Sequence, residues 1–114
     1  MIKYQYLRHG KLALTIATEL VREECATYYS YTLKHPEDKF VKKEAIKAIN
    51  LSTDNSSPVF DGWVEIDKHL TRNELLLAVL CDIYAKNRII IPQHYRLFII
   101  YLMIEYNKKV LMGM

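Results

Sequence analysis

Turn-making residues are what this chain has least of, with three glycines and three prolines among 114 residues. Average proteins carry roughly 7% Gly and 5% Pro, so the usual supply is more than halved. Sandwiches and barrels reverse direction every ~8–12 residues, mostly at Gly, Pro, Asn or Asp. The shortage argues against an all-β fold and favours long helices joined by few loops. With 51% apolar and 25% charged side chains, the chain is neither disordered nor collagen-like nor a flexible linker. The expectation is an all-α protein, one domain over residues 1–114, built as a small bundle of four main helices. A chain of this length reaches one modest core without disulfides or metal.

Residues 2–7 alternate Ile, Lys, Tyr, Gln, Tyr and Leu, the period of a short half-buried strand. Beyond Gly10, Leu12, Ile16, Ala17, Leu20, Val21, Cys25 and Tyr28 share one broad face at about 100° per residue, which places a first helix at about 11–34. Pro36 stops it and suits the first position of a second helix, about 36–50, with Glu37 and Asp38 where the helix dipole favours negative charge. The polar stretch 52–58 is the one clear loop. Residues 59–69 fit a short helix, with Trp63, Ile66 and Leu70 at helical spacing and Asp61 as cap, or a hairpin turning at Asp61-Gly62. The helical spacing is preferred. Thr71-Arg72-Asn73-Glu74 is a capping box. It opens a third helix, about 71–87, in which Asp82 and Lys86 form an i,i+4 pair. Residues 88–92 read as extended before Pro92, and a fourth helix runs over about 92–111.

Formal net charge is +3, shared evenly between the two halves. The densest cationic group, Lys39, Lys42, Lys43 and Lys47, is interleaved with Glu37, Asp38 and Glu44. It reads as a solvated helix face, not a phosphate-tracking patch, so nucleic acid is not an expected partner. Cys25 and Cys81 show no C-x-x-C spacing and read as reduced thiols buried like small hydrophobes. The opening residues lack the apolar run of a signal peptide. The longest apolar run, residues 97–104, spans about 12 Å as a helix against roughly 30 Å of hydrocarbon. A cytoplasmic protein with no membrane partner is expected. The four histidines, His9, His35, His69 and His94, contain no i,i+4 pair, so no metal is expected. Phosphate loops and dinucleotide-binding glycine patterns are missing too, and no cofactor is expected.

The fourth helix carries more apolar surface than one face needs. Ile99, Leu102, Met103, Tyr106 and Val110 form an inner side, and His94, Phe98, Tyr101, Glu105 and Lys108 a second stripe of mixed character. Aromatic bodies with polar tips are what protein interfaces favour. The stripe either packs within the chain or binds a partner, including a second copy in a homodimer. Nine tyrosines fit a binding surface equally well. They also fit AT-rich coding, as in some bacteria and mobile elements such as phages. The expected function is a small non-enzymatic binding protein, a regulator or inhibitor acting through a helix face. A helix-turn-helix DNA binder is an alternative that needs Lys and Arg converging on one helix.

Two short motifs resemble those of enzymes. Leu7-Arg8-His9-Gly10, after an alternating strand, resembles the Arg-His-Gly signature of the histidine phosphatases. The resemblance implies a phosphorylated His9 and Arg8 as a phosphate clamp, although Lys11 departs from the usual following residue. Arg88-Ile89-Ile90-Ile91-Pro92-Gln93-His94 resembles the R-x4-6-H motif of HEPN ribonucleases. It implies a helical domain in which Arg88 and His94 from two protomers cleave RNA without metal, with His as the acid or base. Ile89 and Pro92 depart from that family's pattern.

Overall fold

The computed structural model describes residues 2–33, 61–65 and 70–113. Its elements are strands β1 (Lys3–His9), β2 (Leu12–Val21), β3 (Ala26–Leu33) and β4 (Gly62–Glu65), then helices α1 (Arg72–Asn87) and α2 (Gln93–Leu111). The strands form one antiparallel sheet in the order β1-β2-β3-β4. This is an α+β fold, and the expected all-α helical bundle is incorrect. The helix placed at 11–34 is instead β2, a short 3-10 turn (Arg22–Glu24) and β3. Residues 61–65 are neither helix nor hairpin turn: Gly62 stands inside β4, paired with Tyr29. The helix expected at 36–50, the loop at 52–58 and the rest of the 59–69 segment, positions 59–60 and 66–69, lie outside the described residues.

The physical reason begins with β2. Leu12, Leu14 and Ile16 point to one face while Ala13, Thr15 and Ala17 point to the other, and residues 13–18 are all buried. With no polar side to alternate against, the period of two is hidden, and Leu12, Ile16 and Leu20 also satisfy a helical spacing. β3 has the sequence ATYYSYTL, rich in the β-branched and aromatic residues that suit a pleated surface.

Reversals here use almost no glycine. Gly10 and Lys11 make a two-residue turn after the final β1–β2 pair, His9↔Leu12. Gly10 has φ +61, and a positive φ at the first central position is what a two-residue hairpin of the primed kind takes there. Between β2 and β3 the chain turns through residues 22–25, with Cys25 in the left-handed region at φ 50 and its N–H donating to the Arg22 carbonyl at 3.1 Å. The shortage of glycine therefore excluded less than composition implies. Cys25 and Cys81 are free and exposed, so their expected burial is also corrected.

Both helices pack on one face of the sheet. Leu7, Leu14, Ile16, Tyr29 and Val64 meet Leu76, Val79, Leu80 and Ile83 of α1 and Tyr95, Phe98, Ile99 and Leu102 of α2 in a single core. The capping box is formed: Thr71 Oγ1 accepts from the Glu74 N–H at 3.2 Å and Glu74 Oε1 from the Thr71 N–H at 3.2 Å. Arg72 donates to the Gln5 side chain, which ties the start of α1 to β1. Residues 88–90 form a turn, not the extended run expected before Pro92.

Candidate interaction surface

Pro92 opens α2 with φ −56, a geometry its ring supplies at no cost in backbone hydrogen bonding. Lys108 and Lys109 occupy the last turn, where the helix dipole favours cations. Gly113, at φ +71, closes the helix; its N–H donates to the Val110 carbonyl at 3.1 Å. The inward face is Tyr95, Phe98, Ile99 and Leu102, all buried.

The outward face is also apolar. Leu97, Tyr101, Ile104 and Leu111 expose 61%, 39%, 51% and 78% of their surfaces. With Lys108 they follow a four-three-four-three spacing, the heptad rhythm that keeps a seam on one side of a helix. Tyr101 rests against His9, their ring centroids 4.3 Å apart, so the end of β1 supports the seam from the side.

The five residues expected to bind a partner do not lie on one surface. His94 is exposed in the first turn with its ring 4.8 Å from that of Tyr95, and Tyr101 and Lys108 are exposed on the seam. Glu105 is half-buried, whereas Phe98 is 3% exposed and belongs to the core. Leu97, Ile104 and Leu111, exposed beside Tyr101 and Lys108, are not in that set. Their seven-residue spacing was the available signal, hidden because apolar residues occupy every side of the helix between Leu97 and Ile104.

No protein-family model, curated protein or solved structure matches this chain. Roles must come from the residues themselves. Arg8 and His9 are consecutive on β1 and project to opposite faces, and Gly10 leads into β2, not into the helix that the histidine phosphatase resemblance implies. Arg88 caps the end of α1 while His94 lies in α2, with the 88–90 turn and Pro92 between them. The sheet also departs from the helical domain of HEPN proteins. A recognition helix for DNA needs cationic and polar side chains on its outer face, where α2 carries Leu97, Tyr101 and Ile104.

A concavity of about 510 Å³ lies between β4 and α1, lined by Trp63, Val64, Cys81, Asp82 and Lys86 among others. The buried Tyr29 hydroxyl donates to Asp82 Oδ2 at 2.6 Å, and Lys86 Nζ lies 3.1 Å from the same oxygen. This group is structural: it ties β3 to α1. Desolvation pushes the Cys81 thiol up from its ordinary value, which disfavours the thiolate a nucleophile needs. Among the described residues no cluster of His, Cys, Asp or Glu is placed to hold a metal ion, and no helix is long and apolar enough to cross a membrane.

Burial, and then the bond to Asp82, hold the Tyr29 phenol well above its usual value. In the unfolded chain the phenol ionises near about pH 10. Above that pH the unfolded state has lost a proton that the folded state keeps, so rising pH favours unfolding. Stability is expected to hold up to about pH 10 and then fall, with Tyr29→Phe showing a shallower fall than wild type in urea titrations at alkaline pH. Equal slopes would remove Tyr29 as the cause.

Proposed function

We propose that this protein is a non-enzymatic binding module of the cytoplasm, a regulator or inhibitor that docks another protein through the outer face of α2. The simplest partner is a second copy, giving a homodimer. The observation that carries this proposal is the exposed heptad seam of Leu97, Tyr101, Ile104 and Leu111. Paired helices bury such seams against each other, and a single Lys at one seam position, here Lys108, restricts register at some loss of stability. Two-fold pairing needs only one self-complementary patch.

Its size sets the strength. From Leu97 to Leu111 the seam is about 21 Å long and about 10 Å wide, roughly 200 Å² as a flat strip. Stable interfaces cover about 800 Å² per partner. Self-pairing through α2 is therefore weak and reversible, and a tighter complex needs a partner that reaches beyond the seam.

Sedimentation velocity over a concentration series tests it. Wild type is expected to shift reversibly toward a dimer, and Ile104→Glu and Tyr101→Glu to weaken association at least ~10-fold, since a buried unpaired carboxylate is costly. Both variants are expected to keep the wild-type circular dichroism spectrum. A wild type that stays monomeric at every concentration overturns the homodimer, and association unchanged in Ile104→Glu overturns the seam.

A further inference from the structure

The turn between α1 and α2 has a surface of its own, and we propose that it anchors the protein to an anionic lipid bilayer. Ile89 and Ile90 stand at its apex with 90% and 76% of their surfaces exposed. Ile89 is more exposed than any other large apolar side chain among the described residues.

The turn holds these two side chains outward firmly. Ile91, the next residue, is buried in the core. The N–H groups of Ile90 and Ile91 both donate to the Asn87 carbonyl at 3.0 Å, and the Asn87 side chain donates to the Ile83 carbonyl at 3.1 Å. A turn tied by its backbone, by Asn87 and by Ile91 needs no apolar side chains at its apex. Packing among the described residues does not explain them.

Along the chain on either side of the apex, from residue 83 to 104, formal charge has one sign. No Asp or Glu occurs between Asp82 and Glu105, while Lys86, Arg88, His94 and Arg96 all fall in that span. Lys86, Arg88 and His94 are exposed. Lys86 is offset by Asp82 at 3.1 Å, whereas Arg88, directly beside Ile89, has no ion pair among the described residues. An apolar apex flanked by cations complements a plane of anionic headgroups over an acyl layer. The isoleucines enter the acyl boundary while arginine and lysine stay among the headgroups. Arg88, exposed and next in sequence to Ile89, supplies the positive charge that an anionic headgroup layer meets beside the apex. This departs from the expectation of no membrane partner, because a protein need not cross a bilayer to rest on its surface. Two modest signals, one apolar and one electrostatic, give reversible binding.

Flotation of the full chain with phosphatidylcholine vesicles, with and without phosphatidylserine, is the test. Wild type is expected to float only with the phosphatidylserine vesicles, less so as salt is raised. The double substitution Ile89→Ser and Ile90→Ser is expected to weaken flotation at least ~10-fold, and Arg88→Gln about 5-fold. All three positions are exposed, so these variants are expected to melt like wild type. Ile104→Glu is expected to float normally, which separates this surface from the α2 seam. Failure of wild type to float with anionic vesicles overturns the proposal, as does undiminished flotation of the double variant. Equal flotation with neutral vesicles overturns its electrostatic part. Should the double substitution instead disperse a protein oligomer without any flotation of wild type, the turn is a protein contact and the bilayer is excluded.

Discussion

Gly62→Ala is expected to destabilise the fold by about 2–4 kcal/mol. Gly62 pairs across the sheet with Tyr29, whose ring lies directly over it. A Cβ added at Gly62 would stand 2.5 Å from Tyr29 Oη, 2.7 Å from Cζ and 2.9 Å from Cε2. The ring cannot swing aside cheaply, because Tyr29 is fully buried and its hydroxyl is held by Asp82 at 2.6 Å. Relief therefore requires overpacking, at about 1–3 kcal/mol, together with partial loss of a hydrogen bond to a charged acceptor, which is worth about 1.5–3 kcal/mol when intact. Urea unfolding measures the loss. The cause is isolated by repeating Gly62→Ala in a Tyr29→Leu background, where the same substitution should cost at least ~1 kcal/mol less. A Gly62→Ala protein within ~0.5 kcal/mol of wild type would contradict the close approach.

Phe98→Ala should cost about 3–5 kcal/mol, whereas its neighbour Leu97→Ala should stay within ~0.5 kcal/mol. Phe98 is 3% exposed and Leu97 61%. Phe98 packs near Tyr95, with ring centroids 6.4 Å apart in an edge-on arrangement, so truncation leaves a cavity in the core shared by both helices. Small domains have about 5–15 kcal/mol of total stability, which makes this a substantial fraction. The contrast between adjacent residues decides which side of α2 is core. Comparable costs at both positions would mean that the seam is already covered, and would remove the basis of the proposed docking face.

These two positions also show where sequence reasoning reaches its limit on α2. Periodicity located the helix but did not rank its apolar sides, since residues 97–104 are apolar throughout. The spacing puts Phe98 with Tyr101 on one second stripe of mixed character; packing against α1 and the sheet turns Phe98 inward and leaves Leu97 and Ile104 outside. The hydrogen bond from Tyr29 to Asp82, 53 positions apart, had no local signature. Neither did the His9–Tyr101 contact.

What the sequence alone determined were features whose causes are local. Thr71 and Glu74 sit within one turn of each other, so their capping box is legible in four residues, and Pro92 and Gly113 mark the ends of α2 by their own backbone preferences. A helix closes its hydrogen bonds within four residues, so its bounds are written in its own segment. A strand closes them with another segment. Residues 12–33 have the side chains of either structure, and the choice rests on pairings such as Leu7↔Leu14 and Leu14↔Leu33. Only the tertiary structure brings those partners together, and it alone decided that this stretch is a sheet, which residue of α2 faces the core, and which apolar side chains remain at the surface.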